Sequence, residues 1–122
     1  MEQQHILNWS KLIIFNIENV GKIQNLPAVF RLSKKLTDGK FYVFFVGSTA
    51  ILKDDLLKLL SENNDDISLK SYLADGEISF RYALVEDENM RVAIEKQMYK
   101  HYAPQFNIKE PSSSLDLKVN LN

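Results

Sequence analysis

Lys40-Phe41-Tyr42-Val43-Phe44-Phe45-Val46-Gly47 is the most strand-like stretch of the chain, since every residue from Phe41 to Val46 is aromatic or β-branched. Just upstream, Pro27 precedes a second run of the same character, Ala28-Val29-Phe30-Arg31-Leu32-Ser33, with the proline at the start, where its missing N–H breaks no ladder. Asp38-Gly39 lies between the two runs and supplies the positive-φ freedom that a tight connection needs, so the pair is expected to form an antiparallel hairpin. The later run shows no polar alternation. It is therefore expected to be a central strand, covered on both faces.

Downstream, Ser48 and Thr49 are the expected N-caps of a helix whose Ile51, Leu52, Leu56, Leu57, Leu59 and Leu60 recur at helical spacing. The polar run Ser61-Glu62-Asn63-Asn64-Asp65-Asp66 ends it, a shorter helical turn is expected over 68–73, and Asp75-Gly76 breaks that turn. Residues 77–85 alternate apolar with polar or small side chains, which predicts a third strand. Glu86-Asp87-Glu88 then puts carboxylates at the N-terminus of a helix that runs to Tyr102 and is stopped by Pro104. At the front, Trp9 and Leu12–Phe15 are docking residues and Asn16 is the N-cap of a short helix. At the back, Leu115, Leu117, Val119 and Leu121 alternate after three serines, a pattern open to a mobile tail or an edge strand. The order predicts an α+β fold, a three-stranded antiparallel sheet flanked by helices. The expected division is a lead-in over 1–25, a domain over 26–109 and a tail over 110–122.

The chain has 122 residues, 15 basic against 16 acidic, and no cysteine. That length supports a buried core without staples, and the absence of cysteine excludes disulfide scaffolds, thiolate zinc sites, iron–sulfur clusters and cysteine nucleophiles. A net charge of −1 argues against a general cationic field for nucleic acid. No apolar run approaches the ~20 residues of a membrane span, so no membrane partner is expected. Without a leader-like segment, the expected location is cytoplasmic. His5 and His101 lie too far apart in sequence to define a site.

Three groups of residues, in this order, resemble the GIY-YIG endonuclease superfamily. Asn25-Leu26-Pro27-Ala28-Val29-Phe30 is similar to its first motif strand, and Phe45-Val46-Gly47-Ser48-Thr49 to its second. Phe80-Arg81-Tyr82-Ala83, Ala93-Ile94-Glu95-Lys96-Gln97 and Tyr102-Ala103-Pro104-Gln105-Phe106-Asn107 are similar to its closing strand, helix and terminal asparagine. The resemblance implies a nuclease-like fold in which two tyrosines activate water, a helix arginine supports the scissile phosphate, and Glu95 binds a divalent metal, Mg2+ or Mn2+. Those roles match what phosphodiester cleavage needs: a polarising cation, a deprotonated nucleophile and charge stabilisation.

At the decisive positions the chain departs from the pattern. Phe30 and Phe45 stand where the resemblance implies tyrosines, and a phenyl ring has no hydroxyl to take a proton or hold a water. Asp55 falls at the arginine position, which reverses the charge, and Asp54, Glu62, Asp65 and Asp66 add to it. Lys58, one turn on, is the nearest cation, though without arginine's bidentate fork. Lys96 and Lys100 are further candidate phosphate contacts. Each signal has an ordinary reading as well: Glu95 as the ion-pair partner of Arg91 four residues earlier, the phenylalanines as core, the lysines as a solvated face, and Asn107 as a tie between chain and core. Strand alternation places Tyr42 on the face opposite Phe45, which excludes it as a replacement hydroxyl. The leading expectation is a GIY-YIG-like domain with a degenerate active site, acting as a nucleic-acid or protein-binding module. The alternatives are a divalent-metal endonuclease built on Glu95 and a protein-interaction or assembly domain.

Overall fold

The computed structural model describes residues 3–61, 66–107, 110–115 and 117–121. In chain order the elements are β1 (Gln3–His5), β2 (Ile13–Ile14), α1 (Ile17–Gly21), β3 (Ala28–Lys35), β4 (Phe41–Thr49), α2 (Leu52–Leu60), α3 (Ile67–Ala74), β5 (Glu77–Leu84), α4 (Glu88–Tyr102) and β6 (Leu117–Val119). Glu62 and Asp65, part of the charge pattern above, lie outside the described residues.

β3 and β4 form the expected antiparallel hairpin, closed through Gly39 at a φ of +82°. The hairpin's place in the sheet differs from the expectation. The order is β2-β5-β3-β4, so β3 is central and the strongly apolar β4 is an edge. Every residue of β3 from Ala28 to Lys34 is buried, Arg31 and Lys34 included. Arg31 escapes detection as a core residue because it is a cation, but its guanidinium lies between the rings of Trp9 and Tyr102, 4.6 and 5.3 Å from their centroids. It also donates to the Tyr102 hydroxyl at 2.7 Å and to the Leu121 carbonyl.

The sheet has four strands, not three. Ile13 and Ile14 add the fourth by pairing antiparallel with Phe80 and Ser79 of β5, and two residues are too few for a period-2 signal to stand out in the sequence. The alternating tail also forms a strand, but β6 pairs in parallel with β1 in a separate two-stranded sheet.

Each face of the four-stranded sheet has its own core. On one, Phe30, Leu32, Phe44, Ile78 and Phe80 pack with Phe15, Val20, Leu52, Leu56 and Leu69, which brings in α1, α2 and α3. On the other, Val29, Val46 and Ala83 pack with Ala93, Ile94 and Met98 of α4 and with Leu117 and Val119 of β6. Fully buried side chains such as Phe80, Leu52, Leu56 and Ile94 each contribute about 1.5–3 kcal/mol of transfer free energy. Capping follows the polar residues before each helix: the Asn16, Asp66 and Asp87 side chains accept from Asn19, Leu69 and Asn89 N–H groups. Asp66 thereby starts a two-turn helix, α3, where only a turn was expected. α2 is the exception. Its N-cap position is Ile51, while Ser48 and Thr49 still belong to β4. α4 ends at Ala103 in the left-handed region, φ 46°, directly before Pro104. No helix among the described residues is long and apolar enough to cross a membrane.

One close approach fixes the β3–β4 register. Phe30 pairs with Gly47, and its ring lies where a Cβ on residue 47 would sit, 2.5 Å from that position at Cζ. Phe30 is itself buried, so the ring has little room to yield. Gly47→Ala is expected to cost about 1–3 kcal/mol through overpacking. Urea unfolding checks this, and Phe30→Leu in the Gly47→Ala background is expected to recover part of the loss.

Candidate functional site

Because β4 is an edge strand, its outer side is open to residues from both faces of the sheet. α2 arrives from one face with Asp55, Lys58 and Leu59, and α4 arrives from the other with Glu95. Phe30, Phe45, Val46, Gly47, Ser48 and Asn107 complete a cleft of about 400 Å³. The positions that the sequence reading singled out, Phe30, Phe45, Gly47, Asp55, Asn107, Glu95 and Lys58, thus meet in one place. Lys96 and Lys100 do not. Lys96 donates to the Ser113 carbonyl and Lys100 pairs with Glu110, both on the tail side of α4 and outside this cleft.

A bulge sets the aromatic wall. The β3–β4 register shifts between Leu32 and Ser33, which pair with Phe45 and Val43, so Phe44 has no partner across the ladder. Phe44 and Phe45 therefore both serve the face that holds Phe30, and the Phe30 and Phe45 rings stack with centroids 6.1 Å apart and planes at 25°. The bulge also moves Tyr42 onto the face of Phe45, contrary to simple alternation. Even so, Tyr42 stays out of the cleft: it pairs with Lys34 and its hydroxyl donates to Asp38 at 2.6 Å.

Asn107 closes the free edge of β4. Its amide accepts from the Val46 N–H at 2.8 Å and donates to the Val46 carbonyl at 2.9 Å, while Phe106 N–H donates to the Phe44 carbonyl at 3.0 Å. The side chain thus occupies the hydrogen-bonding positions of a missing neighbour strand.

Two carboxylates remain. Thr49 accepts from the Ile51 N–H at 2.9 Å and donates to Asp55 Oδ2 at 2.5 Å, tying the β4–α2 turn together. Glu95 Oε1 accepts from the Ser48 hydroxyl at 2.5 Å. Arg91, the expected ion-pair partner, instead donates to the Val85 and Glu86 carbonyls. Burial pushes the Glu95 carboxyl above its usual range, and the hydrogen bonds from Ser48 only partly oppose this. Ser48 was missed as a site residue because the sequence suggested a helix cap. The signal was its place after Gly47, on the strand face toward α4.

A divalent cation would find one well-placed donor here. No group of three His, Cys, Asp or Glu side chains is assembled among the described residues, so Glu95 would hold Mg2+ with water filling most of the octahedron. The arrangement fits single-carboxylate ligation and does not fit a protein cage.

No family model matches the chain, and no curated protein matches it in sequence. In three dimensions it is similar to the GIY-YIG N-terminal endonuclease domain of UvrC from Thermotoga maritima bound to magnesium, its catalytic divalent cation. Identity is 18% and the TM-score 0.58, over 75% of this chain and 93% of that one. Two point mutants of the same domain, each bound to the catalytic divalent cation, match over the same shares. One replaces a tyrosine by phenylalanine (18%, TM-score 0.56) and the other an asparagine by alanine (16%, TM-score 0.58).

The raised Glu95 carboxyl has a pH signature. Native protein holds this proton more tightly than unfolded protein, so the residue costs nothing while both states are protonated and destabilises as pH rises through the native value. Glu95→Gln removes that cost. In thermal melts across the acidic to neutral range, the melting temperature of Glu95→Gln minus that of wild type is expected to grow with pH. A pH-independent difference contradicts the assignment.

Proposed function

We propose, for a chain that has the GIY-YIG superfamily fold, that its nuclease-like cleft is degenerate and works as a binding module without strong phosphodiesterase activity. One observation carries this reading: Phe30, Phe45 and Asp55 line the same cleft as Glu95. Hydrolysis there lacks a hydroxyl on either ring to activate water, and a carboxylate stands where phosphate needs a cation. Loss of a positioned general base costs about 10²–10⁴ in rate, and loss of an electrostatic stabiliser about 10²–10³. Groups that act as a unit do not multiply, but either loss alone removes most of the activity.

A second reading, a divalent-metal DNA endonuclease using Glu95, draws on two observations. Lys58 lines the cleft as a cation, and the Thermotoga domain keeps its divalent cation with a tyrosine changed to phenylalanine. Against it stands the acidic side chain of Asp55, which Thr49 fixes in the β4–α2 turn.

Nicking of supercoiled plasmid with magnesium or manganese separates the two. The expected result is no nicking by the wild-type chain above the level of Glu95→Ala. Metal-dependent nicking that disappears in Glu95→Ala overturns the binding-module reading in favour of the endonuclease.

A further inference from the structure

The cleft has the wrong charge for a phosphate and a suitable one for an organic cation, which deepens the binding-module reading on which this inference rests. Asp55 and Glu95 approach from helices on opposite faces of the sheet. Among the described residues, neither carboxylate has a Lys, Arg or His nitrogen within ion-pair distance. Lys58 lines the cleft but is exposed, free to keep its ammonium in water. Thr49 and Ser48 each hold one carboxylate oxygen, which fixes the orientation of both acids before any ligand arrives. Two oriented acids thus line one cleft.

An aromatic wall lies beside the acids. Phe45 is half-buried and stacked on Phe30, a flat apolar surface that does nothing for a hydrated metal ion but attracts a planar cation through its ring quadrupole. Guanidinium combines the three properties required: permanent positive charge, donors in a planar fork that match carboxylates, and weak hydration that favours stacking. An ammonium satisfies only the charge.

We propose that this cleft binds the guanidinium of an arginine presented by a protein partner, with Glu95 and Asp55 as acceptors and Phe45 as the stacking surface. The probe is acetyl-Gly-Arg-Gly-amide, titrated into the full chain at low ionic strength and followed by backbone amide NMR. Matched peptides with lysine or glutamate in place of arginine, and a single-stranded oligonucleotide, serve as comparisons.

Saturable shifts at the Gly47, Ser48 and Glu95 amides are expected with the arginine peptide only. Affinity is expected to fall at least tenfold in the near-isosteric Glu95→Gln/Asp55→Asn variant and severalfold in Phe45→Leu, which keeps both acids. Arginine binding unchanged in the double variant, equal binding of the lysine peptide, or oligonucleotide shifts at the same amides each overturn the proposal. So does the absence of arginine shifts in a chain that fails to nick plasmid, a result that leaves the binding-module reading standing. Metal-dependent nicking by the same preparation marks the failure of that reading instead.

Discussion

The free outer edge of β4 is the constraint on which the site depends. A strand with a neighbour on each side separates the two faces of its sheet, so Asp55 on α2 and Glu95 on α4 could not share a cavity if another strand paired beyond β4. With β4 at the edge, the turn into α2 brings one carboxylate around the rim and α4 brings the other. An open edge is also a liability, because unpaired N–H and C=O groups invite pairing with another chain. Asn107 and Phe106 answer this by bonding to Val46 and Phe44. The segment after α4 therefore has a structural task at the same place where the cleft opens.

On the proposed reading, phenylalanine at positions 30 and 45 keeps the packing of a tyrosine without its hydroxyl. The contact of the Phe30 ring with Gly47 and its stack on Phe45 need only the shape of the ring. Hydrogen bonding to water, by contrast, needs the oxygen. Folding and hydrolysis thus place separable demands on the same positions, and a sequence can satisfy the first without the second. Asp55 shows the same separation, since its bond from Thr49 serves the β4–α2 turn while its charge repels a phosphate.

Much of this architecture was legible in the sequence because the signals were local. The Asp38-Gly39 turn, the Asn16 cap, the helical spacing after Ile51 and the stop at Pro104 each follow from a few adjacent residues. What escaped was set by distant partners. The apolar run of β4 resembles a central strand, yet its burial comes from helices on both faces and from the segment that carries Phe106. Ile13–Ile14 becomes a strand only because β5 offers it an edge. The Phe44 bulge, invisible to alternation, decides which faces Phe45 and Tyr42 take. Within the site, Phe30, Phe45, Asp55, Lys58, Glu95 and Asn107 were identified through an ordered set of motifs. Ser48 was not, because its role depends on a residue 47 positions away.

On the proposed reading, the fold persists while Phe30, Phe45 and Asp55 withhold the reaction. Restoring them together in Phe30→Tyr/Phe45→Tyr/Asp55→Arg, in a preparation that melts as cooperatively as wild type, tests this most directly. Magnesium-dependent plasmid nicking by the restored chain is expected at a rate well above that of wild type. Equal rates for the two chains contradict it.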